Sequence, residues 1–222
     1  MKKFLVSFAF IAMCLSAQAQ IVDVFGDSYE VKDVKIVKEV KKGWKEFSLE
    51  YNPSRLVPDE GDSFSMSGIN IGWGWARSLS SSLPLYLQYG IGIQYFWGKN
   101  DVPYAVNEYY TKDVEQSIYM LGIKVPFNVI YHYDIPNTAF AIEPLVGLNI
   151  RANALGERDN KGYREDDCFV DLDWNRVQIG YNIGVNAVYD KFVFGVSYTG
   201  DFSELGEDLN MSVWNIKVGV RF

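Results

Sequence analysis

Cysteine, histidine and long apolar runs are what this 222-residue sequence has least of. Its two cysteines are Cys14 and Cys168, and its one histidine is His132. Cys14 falls in an N-terminal stretch that is read below as removed. The mature chain then keeps one thiol and cannot form an internal disulfide. One histidine and one distant cysteine cannot supply a zinc site. A Ser-His-Asp arrangement has a single candidate base, and no serine lies between Ser117 and the turn after His132. Beyond the first twenty residues no stretch approaches 18 uninterrupted apolar residues, which excludes a spanning helix. Basic charge is also scarce. Without Lys2 and Lys3 there are 21 − 2 = 19 basic residues against 28 acidic ones, a net of −9. That balance argues against nucleic acid as a partner. Nothing in the sequence implies a cofactor.

Three features stand against these shortages. The N-terminus runs Met1-Lys2-Lys3, then apolar from Phe4 to Leu15, then Ser16-Ala17-Gln18-Ala19-Gln20. A basic start, a short apolar core and an Ala-x-Ala site read as a secretory signal peptide over 1–19. Met13 before Cys14 is a poor match to a lipidation site. Residues 20–43 read as a periplasmic N-terminal segment. Within it, Val31–Lys42 repeats Val-Lys every three residues, a period that suits neither helix nor strand.

Aromatic residues make up 16% of the chain, and apolar residues alternate with polar ones at the period of a strand. From Leu85 to Trp97 the residues Leu87, Tyr89, Ile91, Ile93 and Tyr95 share one face, and Gln88, Gly90, Gly92 and Gln94 share the other. The pattern returns at 140–150, 176–189 and 214–222, and more weakly at 44–51, 66–76, 117–133 and 192–199. That predicts eight strands. The connections alternate in length. Short ones fall at Arg77–Pro84, Asp134–Asn137 and Asp190–Lys191, and long ones at 52–64, 98–115, 153–173 and 200–209. Outer-membrane barrels have short periplasmic turns and longer external loops. The expectation is an all-β, eight-stranded antiparallel up-and-down transmembrane barrel over 44–222. Its termini are periplasmic and its long loops extracellular.

The signal peptide, the strands, the loop asymmetry and the terminal strand Asn215–Phe222 together resemble the small outer-membrane β-barrel proteins of Bacteroidetes, often called PorT-like. They resemble outer-membrane protein A-type barrels more distantly. The resemblance implies an envelope-structural role, surface interaction or help in secretion. It implies outer-membrane lipid, lipopolysaccharide and an envelope protein of unspecified kind as partners. It also implies that Phe222 serves as the signal read by the barrel-assembly machinery.

The charges on the inward phase are Glu46, Glu50, Lys124, His132, Glu143, Arg151, Arg176, Lys217 and Arg221. An eight-stranded lumen is just wide enough for side chains to fill, and unpaired buried charge is costly. These residues are therefore expected to form a structural ion-pair network, with Glu46, Glu143, Arg151 and Arg176 prominent in it. The alternatives are a narrow conduction or transport path, or an enzyme acting on lipid. The acidic segments 153–173 and 200–209 lack ordered EF-hand spacing and read as solvated loops. Cys168, in the longer of them, is expected to be open to a membrane-impermeant maleimide. Ile91→Arg and Ile183→Arg are expected to impair folding into lipid, whereas the inner-face changes Gly92→Ser and Asn182→Ser should be milder.

Overall fold

The computed structural model describes residues 42–59, 63–107, 110–161 and 164–222. The segments read as signal peptide and N-terminal segment lie outside these residues, apart from Lys42 and Gly43. The described chain is built of antiparallel strands. They are β1 (Gly43–Tyr51), β2 (Ser54–Pro58), β3 (Phe64–Ser78), β4 (Leu85–Asn107), β5 (Tyr110–Tyr131), β6 (Tyr133–Asp134), β7 (Phe140–Asn160), β8 (Arg164–Asp167), β9 (Val177–Tyr189), β10 (Phe192–Asp201) and β11 (Leu209–Arg221). β1 and β2 are one barrel strand interrupted at Asn52-Pro53, where proline cannot donate to a ladder. β6 and β8 are short additions that pair with β7. The remaining order is a closed ring of eight, sealed where β1 pairs β11.

The register defines the tilt. Pairs lead from Trp44 through Ala76, Gln88, Asn128, Gly147, Asn182, Thr199 and Val213 back to the first strand at Ser54. The circuit advances by 54 − 44 = 10 residues. A stagger of that size in eight strands corresponds to a tilt of about 40°.

Polarity is reversed relative to a soluble barrel. Along the middle of the strands Ile91, Ile93, Leu148, Ile183, Val196 and Ile216 are exposed outside, while Asn70, Gln88, Asn128, Asn182 and Asn186 are buried inside. Beyond the girdle residues Tyr95 and Trp97 the pattern inverts on the same strands. Lys99, Asp101, Glu115, Glu157 and Asp159 lie on the outside, and Phe96, Ile118 and Met120 are buried within. It inverts again at the end where Lys42 and Phe222 lie. There Lys45 and Arg77 flank the outside, and Tyr86, Ile130, Val188 and Val193 fill the inside. An apolar outer surface stabilises a barrel only against a nonpolar medium, so the two inversions bracket the band that fits lipid. Aromatic contacts cluster near both edges of that band. Trp73 lies 5.3 Å from Phe222 at one edge, and Tyr198 lies 5.3 Å from Trp214 toward the other.

Three stretches expected to be loops contain strand. β4 and β5 continue as a paired hairpin from Gly98 to Asn107 and back, β7 runs to Asn160 and pairs β8, and β2 occupies Ser54–Pro58. Charged residues outside and apolar residues inside make a normal two-sided sheet in water. The polar composition therefore marks the end of the lipid band and not the end of the strands.

Candidate functional site

Among the described residues, buried charge is concentrated in the barrel interior. Starting from the end that carries Lys42 and Phe222, the first layer is centred on Glu143 and Arg221. Arg221 Nη1 and Nη2 donate to Glu143 Oε1 and Oε2 at 2.7 and 2.6 Å, and its Nε donates to Glu46 Oε2 at 2.9 Å. Lys217 Nζ donates to Glu46 Oε1 at 2.7 Å. His132 Nδ1 lies 2.6 Å from Glu143 Oε1, and Nε2 lies 3.1 Å from Asp134 Oδ1. Trp44 stacks beneath, with the Arg221 guanidinium 4.2 Å from its ring. Trp44 and the buried Tyr86, Ala76, Ile130 and Leu145 complete an apolar lid at this end.

A second layer lies above the first. Lys124 Nζ donates to Glu50 Oε2 at 2.7 Å and to Asn215 Oδ1 at 2.9 Å, and Asn52 Nδ2 donates to the same Asn215 oxygen at 2.9 Å. Glu50 is on β1 and Lys124 on β5, so the pair reaches across β3 and β4. The wall it crosses is bare backbone, because Gly72 pairs Gly92 and Gly74 pairs Gly90. A Cβ on Gly92 would stand 2.3 Å from Asn70 Oδ1, so a side chain at that position would displace Asn70. Beside the glycines remains a cavity of about 60 Å³ bordered by Glu50, Asn70, Lys124 and Asn182, polar and roomy enough for a few water molecules.

The third layer combines an ion pair with an apolar plug. Arg151 Nη2 donates to Asp201, with both side chains buried. Beyond it Leu56, Phe64, Met66, Phe96, Met120 and Leu205 form the largest buried apolar cluster among the described residues.

The inward-phase residues thus fall into separate groups. Glu46, His132, Glu143, Lys217 and Arg221 come together, Glu50 and Lys124 form a second group, and Arg151 joins neither. Arg176 is a correction. It lies just before β9 begins, is exposed at the rim, and reaches back to the Ala154 carbonyl at 2.9 Å with its guanidinium over Phe169. The inward phase of β9 does not extend to a residue outside the strand. Sequence reasoning missed Asp201, which it placed in a solvated loop, and Asp134, which it placed in a turn. The plug was missed as well. Its only sequence signal was Leu205 alone among acidic residues.

Cys168 is a second correction. It lies between β8 and β9, in the stretch expected to be an open loop, yet it is 0% exposed. Burial pushes its thiol pKa up to about 12, which disfavours the reactive thiolate.

The His132 ring faces a carboxylate from each nitrogen, which leaves neither directed at an outside substrate. The interior can hold charge in place and block passage.

No family model matches this chain, and no curated protein matches its sequence. Solved structures do show similarity. Ail, the attachment invasion locus protein of Yersinia pestis, in complex with the heparin analogue sucrose octasulfate, aligns over 82% of this chain and 100% of its own at 15% identity and a TM-score of 0.46. Neisserial surface protein A aligns over 80% and 97% at 15% identity and 0.49. The outer membrane enzyme PagL aligns over 79% and 98% at 10% identity and 0.42. Identities and scores this low carry no information on activity, and the set itself includes both surface proteins and an enzyme.

Proposed function

We propose that this chain is a non-enzymatic outer-membrane barrel with a closed lumen, acting in envelope structure or through the surface at the end opposite its termini. The observation that carries this reading is the layered interior. An apolar lid, three layers with buried ion pairs and an apolar plug bar the lumen at both ends. In an eight-stranded barrel little space remains for ions once the side chains fill it. The surface that remains available is the rim carried by the β4–β5 and β7–β8 hairpins.

The finer parts of the reading follow the sequence. Residues 1–19 would direct export, 20–43 would lie in the periplasm, and 44–222 would be inserted by the barrel-assembly machinery among outer-membrane lipid and lipopolysaccharide. Short turns at 79–84, 135–139 and 190–191 support a periplasmic terminal end. The resemblance to Bacteroidetes PorT-like barrels supports the narrower family assignment. Planar-bilayer recording tests the closed lumen. Purified protein should give no steady single-channel current. A stable ion-selective current altered by Glu143→Gln or Arg151→Gln would overturn the reading in favour of a channel.

A further inference from the structure

Leu205 is the only large apolar residue in the turn Ser203–Asp208, yet it is 0% exposed and sits in the plug with Leu56, Met66 and Met211. The turn is fastened to a different loop, residues 168–176. Asn175 N donates to the Leu205 carbonyl at 2.6 Å, and Asn175 Nδ2 donates to the Glu204 carbonyl at 3.0 Å. Gly206 lies so close to Trp174 that a Cβ there would stand 3.0 Å from the indole. Trp174 packs on the same plug and donates its backbone N–H to the Cys168 carbonyl at 3.0 Å. Cys168 N in turn donates to the Gly156 carbonyl at 2.9 Å. An unbroken path of contacts therefore runs from Leu205, through Asn175 and Trp174, to a buried thiol on the other loop.

We infer that residues 168–176 and 202–208 form one cap over the barrel mouth, latched by Leu205, and that release of the latch opens both loops together. The cap is anchored by two apolar side chains, Leu205 and Trp174, by the two Asn175 bonds, and by bonds from the turn to Ile179 and from Asp59 to the Asp208 carbonyl. The outer face carries the exposed acidic residues Asp171, Asp173, Glu204, Glu207 and Asp208. Segments held by few buried apolar contacts open at lower free energy than the strands beneath them. The inference stands on the loops alone and does not depend on whether the lumen conducts.

Native Cys168 reports on the cap. The full chain, folded in detergent micelles, is reacted with a maleimide, and only protein retaining the folded electrophoretic mobility is scored. Leu205→Ala should raise the labelling rate at least ten-fold. Asn175→Ala, which removes the side-chain bond to the turn, should raise it by less, and Glu207→Gln should leave it unchanged. Ile130→Ala makes a comparable defect in the lid at the opposite end and should leave the rate near that of wild type. An unchanged rate in folded Leu205→Ala refutes the latch. Equal acceleration by Ile130→Ala shows global opening and refutes the cap as a unit. Should Leu205→Ala fail to fold, Asn175→Ala decides by the same criterion.

Discussion

Arg221, the penultimate residue, holds Glu143 by both terminal nitrogens from three strands away around the ring, and holds Glu46 on the first strand by its Nε. Arg221 thus ties together β11, β1 and β7, across the seam at which the ring closes. The pairing of β1 with β11 joins strands far apart in sequence, and the Glu46 bonds to Lys217 and Arg221 add side-chain contacts across it.

Removing Arg221 should therefore be expensive. Arg221→Met leaves Glu143 and Glu46 buried with reduced partners, at about 3–5 kcal/mol. The double variant with Glu143→Gln should cost less than the sum of the two single changes, because the residues share one network. Urea titrations of folding into lipid vesicles would measure both. Strict additivity would count against the network.

On the outer face, Ile91→Arg and Ile183→Arg each place a charge in the middle of the lipid band and should cost about 2–4 kcal/mol. The structure changes the choice of control. Gly92→Ser would push into Asn70, and Asn182 bonds to Asn128 at 3.1 Å, so neither is neutral. A Cβ on Gly74 would meet only the Tyr89 carbonyl, at 3.4 Å. Gly74→Ala should therefore change stability by less than about 1 kcal/mol. Similar losses for Ile91→Arg and Gly74→Ala in the same titration would contradict the assignment of faces.

The thiol gives a direct readout of the far mouth. Cys168 in the folded protein should resist a maleimide at pH 7 to 8 and react fully after denaturation, because burial both hides it and keeps it protonated. Rapid labelling of the folded wild type would show that the loop is open in solution.

Phe222 separates stability from assembly. Its ring is exposed and touches Trp73, while its backbone pairs with Lys45 across the seam. Phe222→Ala should cost only about 1 kcal/mol in vitro, because the backbone bonds remain. In cells the same change should lower the amount of assembled barrel several-fold, if the residue is read by the assembly machinery. Parallel small losses in both assays would count against a signal role.

What the sequence determined by itself is local. A period of two depends only on neighbours along one strand, so the eight strands and the faces of residues such as Ile91 and Asn128 are written in the order of residues. The same reasoning fails where the medium changes. Phe96, Ile118 and Met120 are apolar and inward, and Lys99, Glu115 and Glu157 are polar and outward, a polarity that suits water outside those parts of the strands. Read from the sequence alone, that reversal looked like the end of the strand. Only the tertiary structure decided which charges meet. Partnership across the lumen depends on the ten-residue stagger of the closed ring, which brings Glu143 to Arg221 and Glu50 to Lys124 and leaves Arg176 on the rim. Stagger is a property of all eight strands at once, and no single strand encodes it.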